Sequence, residues 1–593
     1  MNLEQERYQR WINAPGLDPA LRKELEAIKD QPAEITERFY THLSFGTGGM
    51  RGEIGAGTNR MNIYTIRKAT LGLAHYLHNR KRGDLNPEQS NNMSPSKQNK
   101  DDLQVVIAYD CRHQSDRFAL EAALTLARQG IKAYLFPALA PTPQLSFAVR
   151  RLQADAGIMI TASHNPPEYN GYKVYGPDGA QLNVQDAEQL MREIGRVEDE
   201  LSIEVLRQEE AIDQGLLVYL DEQIDREYVR YVTSLSLRPE IIKQMGDQYK
   251  IVFTPLHGAA TKPVQAVLRE AGFRQVYMVE EQVTPDPDFS TVASPNPEEH
   301  EAFTLAIEKA RAVDADLIMG TDPDADRMGL VVRDDQGAYR VLTGNQTGAL
   351  LLHYILTQKQ AQGKLAPNHT ICKTIVTSEL GRVIGRDFGL ETIDTLTGFK
   401  FIGEKIKQFK AAGDRQFLFG YEESYGYLIG DEVRDKDAVQ AVLLAAEMGA
   451  YYKAKGLTLY EALLDLYEQY GYYREDLISV TLKGREGLQQ IKQTMAMLRE
   501  HPPHTLAGQP VAVLEDYQTQ VRHDLVQDKQ EPLHLPASNV LKFILQDETW
   551  VCVRPSGTEP KLKLYIGVKG ESLDEAENKL QAVKKALKEL VSL

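Results

Sequence analysis

The densest concentration of chemistry in this sequence is TDPDADR, residues 321–327, where Asp322, Asp324 and Asp326 stand at alternate positions. On a helix they would spread around more than half the circumference, and Pro323 disfavours a helix; in an extended loop they converge on one side. Three such carboxylates repel one another unless a cation neutralises them. Hard oxygen ligands suit Mg²⁺, which takes a few carboxylates together with a phosphate oxygen or water. A calcium EF-hand is excluded, because Arg327 and Arg333 occupy the positions that need Gly and Glu. A solvated acidic turn is the plain alternative, but apolar runs on both sides of the loop count against it.

TASHNP, residues 161–166, is the second constellation. The apolar run AGIMI leads into Ser163, His164 and Asn165, and Pro166 and Pro167 then stop regular structure. A serine at a strand end of an open α/β sheet sits where ligands bind and can serve as a nucleophile. The competing reading is a Ser/Asn/Pro turn without chemistry. The G-x-S-x-G elbow of hydrolases is absent, since Thr161 and Asn165 replace its glycines. Arg554, Ser556, Gly557 and Thr558, in VRPSGTEP, lie between two strand-like runs. A guanidinium contacts phosphate in a bidentate way, and hydroxyls and glycine backbone N–H groups supply the rest; a plain hairpin turn fits the composition as well. In GYEESYGY, Glu422 and Ser424 follow the strand-like FLF and can hydrogen-bond sugar hydroxyls, or lie in a surface turn. Arg51 in GTGGMRG and Lys173 in NGYKVY are lone cations, ordinarily solvated. GFKFIGEK is not a phosphate-binding Walker loop, because Glu404 replaces its lysine, and G-x-G-x-x-G is broken by Arg51 and Arg60.

The elements that must position these residues read as repeated α/β units. Residues 1–40 show helical spacing at Leu21, Leu25 and Ile28, and Ile63 to Lys81 continues as a helix. The Asn-, Ser- and Pro-rich segment 83–102 reads as a surface loop. Strand-like LQVVIAYD, helical FALEAALTLARQG, then IKAYLFP and AGIMITA indicate βαβ units and a parallel sheet. The rhythm restarts at YKIVFTPLHG and again near ADLIMGTD, with helices GNQTGALLLHYIL and AVQAVLLAAEMGAYY assigned to a third unit. Residues 476–593 read as α+β: a charged helix, a loop, the strands TWVCVRP and KLKLYIGV, and a final helix. The expected division is 1–205, 206–321, 322–470 and 471–593.

At 593 residues the chain is long enough for roughly three to five domains. A net charge of −16 argues against a nucleic-acid partner but not against a small phosphorylated ligand in a local basic pocket. The absence of a secretory-type leader, of any long apolar run and of paired cysteines among Cys111, Cys372 and Cys552 predicts a cytoplasmic protein without a membrane association.

TASHNP, DPDADR, the E-E-S loop and R-P-S-G-T, in that order from Ser163 to Thr558, resemble the α-D-phosphohexomutase superfamily, over about Phe45 to Tyr565. The flanks SFGTGGMRGEIGAGTNRMN and GYEESYGY look most like its bacterial phosphoglucomutases, which group with phosphopentomutases and glucose-1,6-bisphosphate synthases. The resemblance implies three related α/β domains with mixed sheets and a smaller C-terminal α+β domain around a central cleft. It implies that Ser163 carries a phosphoryl group and, with Asp322, Asp324 and Asp326, binds one Mg²⁺ per subunit. It further implies that Arg554, Ser556, Gly557 and Thr558 grip the substrate's phosphate. Glu422 and Ser424 would read the sugar, with Arg51, Lys173, Arg327 and Lys400 as basic residues near the reacting centre. His164 and Lys173 are both candidates for proton transfer.

The activity implied is interconversion of glucose 1-phosphate and glucose 6-phosphate, primed by glucose 1,6-bisphosphate, in a monomer or homodimer. Phosphopentomutase, glucose-1,6-bisphosphate synthase and metal-dependent sugar phosphatase are the alternatives. Two departures fall in the sugar loop: Tyr421 stands between Gly420 and Glu422, and Tyr425 follows Ser424. Both are expected to bear on the choice of sugar.

Overall fold

The computed structural model describes residues 2–46, 48–83, 102–482, 484–556 and 561–591. The expected surface loop therefore lies almost wholly outside the described residues, as do Gly557 and Thr558. The chain divides into two compact units. The first comprises Met1–Val331, Ile402–Ala411 and Gly426–Tyr451; the second comprises Val332–Phe401, Ala412–Tyr425 and Tyr452–Leu593.

The first unit opens with helices Leu3–Ile12, Pro19–Ala27 and Pro32–Phe39, whose Tyr8, Trp11 and Phe39 are buried and meet edge to face. The helix Ile63–Arg82 starts where its sequence says it should. Asn62 accepts hydrogen bonds from the N–H groups of Tyr64 and Thr65, and the Thr65 hydroxyl answers the Asn62 N–H. It stops at Gly83, which takes the left-handed conformation at φ 75°.

A seven-stranded mixed sheet follows. Its order is Phe45–Gly46, Gly49–Glu53, Tyr169–Tyr175, Ala156–Ile160, Gln104–Tyr109, Lys132–Leu135 and Leu217–Tyr219. The last four strands are parallel; the apolar runs of Ala156–Ile160 and Gln104–Tyr109 are buried because helices cover them, and burial falls off towards the edge strand Leu217–Tyr219. The strand Tyr169–Tyr175 runs antiparallel to Ala156–Ile160, so the chain reverses at TASHNP. A second parallel set places Lys250–Thr254 between Leu317–Thr321 and Gln275–Met278. The strand that delivers the aspartate loop thus lies in the sheet that begins at Lys250.

In the second unit the strand His369–Thr374 lies parallel between Glu391–Thr395 and Gln416–Glu422. The C-terminal part is an antiparallel sheet covered by helix Leu573–Leu590. The α+β reading of this part holds, but the expected loop between the charged helix and TWVCVRP is strand-rich. It contains Gln509–Asp516, Val521–Asp524, Lys529–Pro532 and Leu541–Leu545. The alternation that marks strands is present at Val511 and Val513 but is short and broken by polar turns.

Strand Tyr472–Thr481 leads into this sheet, with Glu475 opposite Gly567. Burial pushes the Glu475 carboxyl up to about 7, although Ser378 and Asn345 hydrogen-bond it and Arg474 and Lys373 are near. A folded-state pKa above the unfolded one means that stability is fullest below the ordinary carboxyl range and falls as pH rises through 7. Glu475→Gln therefore raises the thermal midpoint at pH 8, by the equivalent of roughly 1–3 kcal/mol, and the gain shrinks towards pH 5. Melting curves at the two pH values check this; a gain equal at both would contradict it.

Candidate active site

Strand Ala156–Ile160 carries the chain to Ser163, which is 4 % exposed and adopts φ 54°, a left-handed conformation uncommon for serine. Its Oγ donates to Asp322 Oδ2 at 2.6 Å and lies 3.2 Å from His164 Nδ1. Residues 159 apart in sequence thus meet at hydrogen-bond distance. Asp322 Oδ1 accepts the N–H groups of Asp326 and Arg327, at 3.1 and 3.0 Å, which curls the loop back on itself around a left-handed Ala325.

The three aspartates are buried, and each offers an oxygen within 4.8 Å of the others. Lys173, at the register position opposite Met159, donates to Asp324 Oδ2 at 2.9 Å. Thr142 Oγ1 donates to the same oxygen, also at 2.9 Å. Lys436 Nζ lies 3.0 Å from Asp326 Oδ2. Arg327 pairs with Glu298. Lys173 thus pairs with Asp324 and Lys436 with Asp326, and Lys436 is shared with Asp435 at 3.3 Å. Asp324 Oδ1 and Asp326 Oδ1 are buried without a hydrogen-bond donor, a state that is costly in a low-dielectric interior. An all-oxygen ligand set and two buried oxygens without a hydrogen-bond donor fit a hard divalent cation.

Electrostatics separates these groups. Burial, then the charges of Asp324 and Asp326, push the Asp322 carboxyl well above the carboxylate range. Burial acts upward on Asp324 too, but the adjacent Lys173 ammonium and hydrogen bonds hold its carboxyl below that range. Burial, followed by the positive charges of Arg327 and Arg51, keeps His164 neutral, well below its ordinary value. Arg51, on strand Gly49–Glu53, donates to Asn165 Oδ1 at 2.9 Å. Ser163, His164, Arg51, Lys173, Arg327 and the three aspartates therefore share one neighbourhood of the first unit.

The other expected residues lie in the second unit. Glu422 Oε1 accepts the Gly398 N–H at 2.8 Å, which sets this carboxylate beside the start of helix Phe399–Ala412. That helix carries Lys400, whose ammonium sits 5.2 Å from the Phe401 ring. Ser424 occupies the turn that follows. Arg554 and Ser556 sit at the end of strand Trp550–Pro555, paired antiparallel with Lys561–Gly570. The Ser556 N–H donates to the Lys561 carbonyl at 2.7 Å. Arg554 Nη1 is 3.5 Å from the Tyr565 hydroxyl, which also feels the charge of Glu423. Arg554 and Glu423 thus act on one hydroxyl, that of Tyr565, within this unit.

Tyr421, next to Glu422 in sequence, is a packing residue. It is fully buried, stacks on Phe419 at 5.5 Å, and fills a slot between two helices where Gly348 and Gly381 leave room for its ring. A Cβ at either glycine would come within 2.2 Å or less of Tyr421 atoms. Strand alternation sends Tyr421 one way and Glu422 the other, so the expectation that Tyr421 bears on sugar choice gives way to a packing role. Its hydroxyl has no hydrogen-bond partner. Tyr421→Phe is accordingly neutral or stabilising and leaves the ratio of hexose to pentose turnover unchanged; a shifted ratio would restore the first expectation.

Sequence reasoning missed Lys436, Thr142 and the pair Asp110 and Arg112. RDKD, residues 434–437, precedes a helix that is buried all round, Ala438–Ala454; charges against such a helix cannot all be solvated, and that was the available signal. Asp110 and Arg112 stand at the C-terminal end of strand Gln104–Tyr109, another ligand-side position of a parallel sheet.

Four successive segments match domains of one family. Its alpha/beta/alpha domains I, II and III match residues 91–200, 226–337 and 343–470, and its C-terminal domain matches residues 508–586. The chain belongs to the phosphoglucomutase/phosphomannomutase family. It is 40 % identical over 542 residues to a phosphoglucomutase of Staphylococcus haemolyticus, covering 91 % of this chain and 92 % of that protein. It is 41 % identical over 567 residues to one of Staphylococcus epidermidis, covering 95 % and 97 %. Family members of known structure share the fold. The parafusin phosphoglucomutase of Paramecium superposes with a TM-score of 0.66 at 17 % identity, over 93 % of this chain and 95 % of that one. A family protein of Burkholderia thailandensis does so with 0.62 at 18 %, over 93 % and 98 %. Three α/β domains and a C-terminal domain are therefore this family's architecture in this chain. Among the described residues no helix is long and apolar enough to cross a membrane.

Proposed function

We propose that the chain is a phosphoglucomutase-type isomerase that interconverts glucose 1-phosphate and glucose 6-phosphate, with Ser163 as the phosphoryl carrier. The observation that carries this reading is the buried Ser163 hydroxyl, 2.6 Å from the Asp322 carboxyl of a three-aspartate cluster with two buried oxygens that lack a hydrogen-bond donor. The kinship to phosphoglucomutases at 40 % identity over nearly the whole chain supports the sugar.

In this reading the resting enzyme bears phosphate on Ser163. The free hydroxyl of the bound sugar phosphate attacks that phosphorus, and the bond to Ser163 Oγ breaks, which forms glucose 1,6-bisphosphate. After the bisphosphate turns over, Ser163 Oγ takes the other phosphate and the isomer leaves. Asp322, Asp324 and Asp326 would hold Mg²⁺, which supplies neutralisation of phosphoryl charge. Lys173, Arg51 and Arg327 add fixed positive charge around Ser163. His164, held neutral with Nδ1 3.2 Å from Ser163 Oγ, and Lys173, held at Asp324, are the two groups able to exchange the proton of the attacking hydroxyl. Arg554, Ser556, Gly557 and Thr558 would bind the phosphate not being transferred, and Glu422, Ser424 and Lys400 the sugar.

A coupled assay of glucose 1-phosphate with Mg²⁺ and a trace of glucose 1,6-bisphosphate, run beside ribose 1-phosphate, tests the reading. Fast hexose turnover is expected. Fast pentose turnover with slow hexose turnover would move the activity to phosphopentomutase, and release of inorganic phosphate without isomer would move it to a phosphatase.

A further inference from the structure

Ser163 adopts a conformation that serine rarely occupies, and such a conformation persists only where its surroundings over-determine it. Arg112, 3 % exposed, supplies that constraint. Its Nε donates to the Ser163 carbonyl at 3.2 Å. Nη1 donates to the carbonyls of Pro166 and Tyr169, at 2.7 and 3.0 Å. Nη2 donates to the Ser163 carbonyl at 2.6 Å and to the Asn165 carbonyl. A guanidinium has five N–H donors, and these five contacts use them all, so no donor remains for a substrate. The Phe289 ring covers one face, 5.0 Å away.

Asp110 completes the arrangement. Its carboxylate lies 3.5 Å from Arg112 Nε and accepts the Arg112 N–H at 3.0 Å and the Ser115 hydroxyl at 2.9 Å. Its other oxygen accepts Thr161 Oγ1 at 2.6 Å, and Thr161 Oγ1 in turn accepts the Ser163 N–H at 2.7 Å. The peptide groups on both sides of the Ser163 Cα are therefore tied to one buried ion pair, the N–H through Thr161 and the carbonyl through Arg112.

We propose that Asp110, Thr161 and Arg112 form a clamp that holds Ser163 left-handed, so that Oγ faces the aspartate cluster, and that Arg112 and Thr161 are positioning residues for phosphoryl transfer. The inference rests on Ser163 being the phosphoryl carrier. Breaking the clamp lets Ser163 relax and moves Oγ away from Asp322, while the residues proposed to bind the sugar and its second phosphate are untouched. The effect falls on kcat and spares KM.

The test uses the full-length enzyme and the variants Arg112→Met, Thr161→Val and Thr161→Ser. Turnover is divided by the fraction of Ser163 that glucose 1,6-bisphosphate can phosphorylate, read by mass spectrometry. A displacement of about 1 Å costs on the order of 100-fold. That loss in kcat is expected for Arg112→Met and Thr161→Val, with KM for glucose 1-phosphate changed less than about threefold. Thr161→Ser, which keeps the hydroxyl, recovers most of it. Thr161→Val preserves shape and carries the test if Arg112→Met fails to fold. Variants that melt earlier yet keep wild-type kcat per phosphorylated site would reduce the clamp to a packing feature and overturn the proposal, as would a rise in KM matching the fall in kcat. Failure of the wild type to take phosphate onto Ser163 would instead remove the functional reading, on a separate sample.

Discussion

Ser163→Ala folds as the wild type does and turns over glucose 1-phosphate at less than about one ten-thousandth of its rate, the scale expected when a nucleophile is deleted. The change removes one hydroxyl. It costs the hydrogen bond to Asp322 Oδ2, a loss on the order of 1 kcal/mol, while the clamp on the backbone stays in place. No other serine or threonine hydroxyl among the described residues donates to Asp322, so no neighbour can take over the carrier role. Mass spectrometry after incubation with glucose 1,6-bisphosphate shows one phosphoryl group on the wild type and none on the variant. A variant with near-normal mutase rates would end the phosphoserine mechanism.

The second large effect is at Asp324. Its Oδ2 is occupied by Lys173 and Thr142, and its Oδ1 has no donor. In Asp324→Asn the amide oxygen keeps the first set of partners, which turns the amide NH₂ towards the other two carboxylates, where a cation would otherwise approach. A ligand becomes a donor, and one charge is lost. Turnover in Mg²⁺ drops by about 1,000-fold, since fixed charge at a transferring phosphoryl group is worth several kcal/mol. The wild type should also melt higher in Mg²⁺ than in chelator, because a ligand that binds only the folded state stabilises it, and the variant should lose that difference. The melting shift is independent of catalysis, so it separates a lost cation from a disturbed substrate site. An Asp324→Asn protein with the wild-type Mg²⁺ shift would show that the cluster binds no metal.

The residues that gather around Ser163 were legible as candidates because they are concentrated in short segments. TASHNP and TDPDADR each place their reactive groups within a few residues at the end of an apolar strand, where local sequence and strand position carry the argument together. Helix limits were equally local: Asn62 and Gly83 mark the ends of one helix because capping depends on only a few residues. The strands between residues 509 and 545 were not legible, since a strand is completed by a partner distant in sequence and short polar ones leave a faint alternation.

Tyr421 shows the limit in one residue. Its place in the sugar loop suggested specificity, but its side chain fills a slot between helices whose glycines lie about 40 and 73 positions earlier in the chain. Lys436, Arg112 and Asp110 show the same limit from the other side. Each is an ordinary charged residue in sequence, and each matters because folding brings it to Asp326 or to the Ser163 loop. Sequence by itself determined which residue types could carry phosphate and bind a hard cation, and the family order in which they come. Only the tertiary structure decided which cations face the aspartates, which carboxyl oxygens lack a hydrogen-bond donor, and what holds Ser163 in a strained turn. Those properties depend on distances between segments far apart along the chain, and burial makes each unmet charge or hydrogen bond count.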